Sequence, residues 1–92
     1  MKTKVIFRHF RGEVIALFPA IAGDSDPQTC LSYAHTGQHC AASVFLAREG
    51  RLAGPAEYHP LARELRRIGY RLDIRKRVTK KDQSERLNQV SI

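Results

Sequence analysis

Apolar and polar residues alternate from Thr3 to Phe10, with Val5, Phe7 and His9 on one side and Lys4, Ile6, Arg8 and Phe10 on the other. A period of two predicts a β-strand. Arg11-Gly12 then supplies a tight turn, because glycine accepts the positive φ that a two-residue hairpin needs. Val14 to Phe18 is a continuous apolar run, which suits a central strand covered on both faces. Pro19 is expected to end that strand, since proline has no N–H for the ladder. Gly23 to Pro27 is turn chemistry, and a third strand is expected from Thr29 to His35, broken at Gly37.

The period changes further along. Residues 41–48 are expected to form a short helix closed by Gly50. Tyr58, Leu61, Leu65 and Ile68 recur at helical spacing, with Arg63, Glu64, Arg66 and Arg67 on the outward arc. Pro60 confines the regular helix to a start near residues 56 to 60, and Gly69 is a natural residue to follow its end. Tyr70, Leu72 and Ile74 then alternate with Arg71, Asp73, Arg75 and Arg77, giving a last strand with one packed and one mostly cationic face. The expected fold is a small single α+β domain over residues 1–78. It has three to four mainly antiparallel strands in the order hairpin, third strand, helix, fourth strand, with one main helix on one face. Residues 79–92 are expected as a polar basic tail, either a frayed helix or disordered.

Ninety-two residues are too few for two separate cores, and a 42% hydrophobic content suits a folded chain. Charge changes the picture more. The sixteen Lys and Arg residues against nine acids give +7, unevenly spread. Residues 66–92 hold nine of those bases and three acids, a net +6, whereas the first 65 residues are close to neutral. A basic end on a neutral body points to an anionic partner, nucleic acid first and an acidic protein surface second, or else to a solubilising tail. The longest apolar stretch, Val14 to Ala22, is too short to cross a bilayer, and no signal-peptide core is evident, so a cytoplasmic protein without a membrane partner is expected. Cys30 and Cys40 are then expected as reduced thiols.

The densest chemistry lies between Ser32 and Cys40. Cys30, His35, His39 and Cys40 are zinc-compatible ligands, but their spacing fits no structural zinc knuckle, and His39 and Cys40 point to opposite faces in extended chain. They remain weak metal candidates, and no cofactor is expected. His35 and His39 are weak candidates for general acid and base on a phosphodiester, with Arg75 near the developing charge. No nucleophile elbow or paired-carboxylate signature supports catalysis, so a non-catalytic accessory protein is the better expectation. The expected binding residues are Tyr33, His35, Gln38 and His39 on the loop and Arg8, Arg71, Arg75 and Arg77 on the basic face. Arginine forks on a sheet, with Tyr33 or Phe10 for base stacking, would make a single-strand platform if the first and last strands are neighbours. A protein-interaction module or inhibitor is the alternative, since an edge strand beside a loop of Tyr, His and Gln can recognise a polypeptide.

Three stretches, Met1 to Arg8, Gly12 to Pro19 and Ser32 to His39, together with Glu57-Tyr58 and Ile68-Gly69-Tyr70, resemble a family of short uncharacterised bacterial proteins. That family is encoded on gut-bacterial chromosomes and mobile elements. The resemblance spans residues 1 to 75, about one domain. It implies a bacterial cytoplasmic protein and carries no known activity. It also implies that Tyr33 to His39 belongs to the domain's design, while Cys40 and the basic stretch after Arg75 lie outside the pattern. Its mobile-element setting would suit a small modulator of host defence or transfer machinery.

Overall fold

A computed structural model describes residues 2–34 and 37–90. The elements are β1 (Thr3–Phe10), β2 (Glu13–Ala22), β3 (Thr29–Ala34), β4 (Gln38–Ser43), α1 (Val44–Glu49), α2 (Pro55–Arg67), β5 (Leu72–Arg75) and α3 (Lys80–Gln89). The α+β class is as expected. The sheet, however, has five strands in the order β4-β3-β2-β1-β5, and β5 runs parallel to β1. The expectation of three to four mainly antiparallel strands is therefore corrected to a mixed five-stranded sheet.

The hairpin forms where the alternation placed it. Phe10 pairs with Glu13, and Arg11 and Gly12 between them have φ of 51° and 81°. Positive φ at both central residues is the type I′ turn, whose twist matches that of the strands it joins. Two faces of this sheet are covered, which explains why β2 reads as a continuous apolar run. On one face Val5, Phe7, Phe18 and Tyr33 pack beneath Leu61, Ala62 and Leu65 of α2. On the other, Leu17 and Cys30 pack with Ala47 of α1 and Val78. α2 begins after Gly54 with Pro55 in its first position, and ends before Gly69, whose φ of 117° only glycine adopts readily.

Pro19 does not end β2, and the reason lies 67 residues away. The register of β2 against β3 shifts between Phe18 and Ala22, so the ladder is broken there. Side chains of α3 replace the missing bonds. Arg86 Nη1 donates to the Pro19 carbonyl at 3.1 Å, and Gln89 donates to the Ala20 carbonyl while accepting from the Ala22 N–H. The segment after Thr79, expected as a tail, is thus a helix docked on the sheet. Thr79 and Asp82 cap it reciprocally: the Asp82 N–H donates to Thr79 Oγ1, and the Thr79 N–H donates to Asp82 Oδ2. Asp82 and Arg86 are 1% and 3% exposed, so two residues of the basic tail belong to the interior.

Residues 38–43 form β4 and not the start of a helix, so the helix expected over residues 41–48 shortens to α1. Ser43 caps α1 by accepting from the Phe45 N–H. β4 pairs along its whole length with β3, and among the described residues no strand pairs with its other edge.

Candidate nucleic-acid interface

The first and last strands are neighbours, with Lys4 opposite Asp73 and Ile6 opposite Arg75. That juxtaposition does not create a cationic platform. Lys4 Nζ donates to Asp82 Oδ1 at 2.8 Å, and Glu85 lies 3.9 Å away. The hydrogen bond to Asp82 holds the Lys4 ammonium above its ordinary pKa despite partial burial. Burial would push the Asp82 carboxyl up, but its bonds to Lys4 and Thr79 outweigh that and hold it below 3.8. Arg75 is joined to Asp73 at 2.8 Å, an exposed pair of small energetic weight. Two cations on this face are thus balanced by three carboxylates.

Arg8, expected to bind a ligand, is a structural clamp. It is 7% exposed and donates from Nε to the Ala47 carbonyl, from Nη1 to Gly50 and from Nη2 to Lys76. Burial lowers its pKa, and these carbonyls satisfy the guanidinium. One side chain therefore ties the end of α1, the loop after it and the end of β5 to β1.

That clamp sets up the feature that sequence reasoning missed. β5 covers β1 only from Thr3 to Ile6. Beyond it the loop 51–53 takes over the same edge: His9 N–H donates to Arg51, Leu52 bridges Arg8, and Ala53 N–H donates to Phe7. Between these two edge pieces a cavity of about 340 Å³ opens, lined by Phe7, Leu52, Tyr58 and Ile74 and bordered by Arg75 and Lys76. Phe7 and Tyr58 stack with centroids 4.5 Å apart and planes 11° from parallel. Arg77 follows on the exposed turn, and Arg51 stands on the far side, 3.6 Å from Glu57. Glu57 is held low chiefly by the Gly54 N–H, so its carboxylate already occupies the start of α2. Anion recognition here would rest on Lys76 and Arg77, since Arg75 is already joined to Asp73. No local motif announces the cavity; the only trace in sequence is an aromatic at Phe7 and Tyr58 with cations following Ile74.

The loop residues fare differently. His35 lies outside the described residues. Tyr33 and His39 do converge, as a cross-strand pair on the α2 side with ring centroids 4.8 Å apart. Tyr33 is buried and donates to Glu64 at 2.5 Å, which raises its pKa. His39 Nε2 is 2.8 Å from the Tyr70 hydroxyl, and Tyr70 stacks on Phe18. This network closes the end of the α2 core, and Tyr33 offers no free face for a base. Gln38 and Cys40 lie on the opposite side of β4 from His39 and border a shallow groove there. Cys30 is buried, and desolvation pushes its thiol up to about 11, so it is a protonated core residue. With Cys30 interior and His39 and Cys40 on opposite faces, these three are not co-ligands. Among the described residues, no group of three His, Cys, Asp or Glu is placed to hold a metal ion.

Arg71 is exposed at the start of β5, four residues from Arg75, or roughly 13 Å along an extended strand. No described helix is long and apolar enough to cross a membrane. No protein-family model, curated protein or solved structure matches the chain.

Proposed function

We propose that this protein is a non-catalytic binder of single-stranded nucleic acid, with the cavity beside β5 taking a base and the cations around it taking phosphates. The observation that carries this reading is Tyr58, half-buried and backed by the buried Phe7, on a cavity bordered by Arg75 and Lys76, with Arg77 next in the chain. A base needs an apolar slot with an aromatic face, and its flanking phosphates need cations within a few ångströms. Exposed bases at Arg66, Arg67, Arg71, Lys80 and Lys81 extend the positive field over neighbouring surface. Such a field steers an anionic polymer irrespective of its sequence. Duplex would fit less well, because its bases are stacked and cannot enter the slot.

Replacing Tyr58 with leucine tests the slot while keeping its bulk. Affinity for a fluorescent oligonucleotide is expected to fall by roughly 1–3 kcal/mol, the weight of one stacked base. An acidic protein surface is the alternative partner and would use the same cations without entering the cavity. Undiminished oligonucleotide binding by Tyr58→Leu would therefore rule out the base slot.

A further inference from the structure

The opposite edge of the sheet carries a second inference. β4 presents Gln38, His39, Cys40, Ala41, Ala42 and Ser43, with no Lys, Arg, Asp or Glu, on a chain of net charge +7. Natural edge strands are commonly blocked by charge, proline, a bulge or a covering element. β4 has neither charge nor proline, its pairing with β3 is regular, and it stands at the end of the strand order. Beside it, on the α1 side of the sheet, lies a mostly apolar groove of about 400 Å³ lined by Phe10, Ile15, Ala34, Gln38, Cys40 and Leu46. Phe45, the second residue of α1, is 55% exposed.

The groove runs the length of β4, from Gln38 to Ser43 and on to Leu46, and its Phe10, Ala34 and Gln38 end lies away from Phe45, which follows Ser43 at the other end of the strand. Antiparallel pairing of two β4 strands about a two-fold axis exchanges those ends. It brings Phe45 of each copy to the Gln38 end of the other. A continuous sheet requires opposed residues to face the same side, so the axis passes through a residue, and pairing β4 along most of its length puts it at Cys40 or Ala41; both registers give this exchange. The patch is thus self-complementary, as a closed dimer demands. Its lack of charge matters, because two copies of a +7 chain repel wherever their cations meet.

We propose that a second copy of this chain adds to β4, forming a two-fold dimer with one continuous sheet and Phe45 of each copy seated in the other's groove. Sedimentation equilibrium across a concentration series, in enough salt to screen the net charge, tests it. The wild-type protein is expected to form a reversible dimer. Phe45→Ala should weaken it by roughly tenfold or more, as loss of a central apolar anchor does. Cys40→Lys, which sets like charges close to the axis, should leave only monomer. Leu87→Ala, an exposed apolar residue of α3, should change nothing. Circular dichroism and melting of each variant verify that the fold is intact. A wild-type protein that stays monomeric throughout overturns the proposal, and so does a dimer indifferent to both Phe45→Ala and Cys40→Lys.

Discussion

The two edges of this sheet are built from opposite materials. β5 is four residues long, carries Asp73 and Arg75, and hands its edge over to the loop 51–53. β4 is six residues long, carries no charged side chain, and runs without interruption. At the first edge, the break between two short pieces leaves a cavity lined by Phe7 and Tyr58 and bordered on one side by Arg75 and Lys76. At the second, backbone N–H and C=O groups form an open row beside an apolar groove. Charge on an edge discourages strand addition and invites anions, while an uncharged edge does the reverse. The proposed polyanion site and the proposed dimer contact thus lie at opposite edges of the sheet.

If that division is right, reversing charge at the first edge should abolish its use and leave the second untouched. Lys76→Glu with Arg77→Glu is expected to lower oligonucleotide affinity by roughly tenfold per reversed charge and to flatten the salt dependence by about 1.4 in slope. Sedimentation of the same variant should still show the β4 dimer. Loss of both properties together would mean that the edges are not independent.

Asp82→Ala sharpens the comparison from the interior. It removes half of the α3 cap and the partner of Lys4, and should cost about 2–3 kcal/mol in a denaturant titration. Oligonucleotide affinity measured well below the new midpoint should not fall, because the change removes an anion and frees Lys4. Acid gives a milder version. The Asp82 pKa is lower in the folded protein than in the unfolded chain, so its contribution is present above the unfolded value of 3.8. That contribution is lost as pH falls through the lower folded value, and hydrogen exchange should then rise first in α3.

The smallest effect distinguishes the two thiols. Cys40 is exposed and should react with a thiol reagent in the native protein. Cys30, buried and held near 11, should react only on unfolding.

What could be read from sequence follows from how local each cause is. The β1–β2 hairpin and α2 rest on periodicity and on Gly12 and Gly69, all local, and both form as the pattern indicates, except that α2 starts at Pro55, ahead of the expected 56 to 60, and so holds Pro60 past its first turn. Pro19 misleads because the compensation comes from Arg86 and Gln89, which no local window contains. β4 is missed because Ala41, Ala42 and Ser43 are small and show no alternation, so their strand state depends on pairing with β3. Alternation in residues 70–77 reveals a strand but not that it pairs parallel to β1. The cations are the hardest case. Composition counts Lys4, Arg8 and Arg86 with Lys76 and Arg77, yet the first three are taken up by carboxylates and carbonyls inside the fold. Tyr33 and His39 were placed together by their positions, but the packing makes them the closure of a core.

The most direct test of the central claim is a salt titration of wild-type protein with single-stranded oligonucleotide and duplex of equal length. Tighter binding to the single strand is expected, with log affinity falling linearly against log salt at a slope of roughly −0.7 per phosphate contact. Absence of binding to either polymer at low salt, or binding that ignores salt, would contradict that claim.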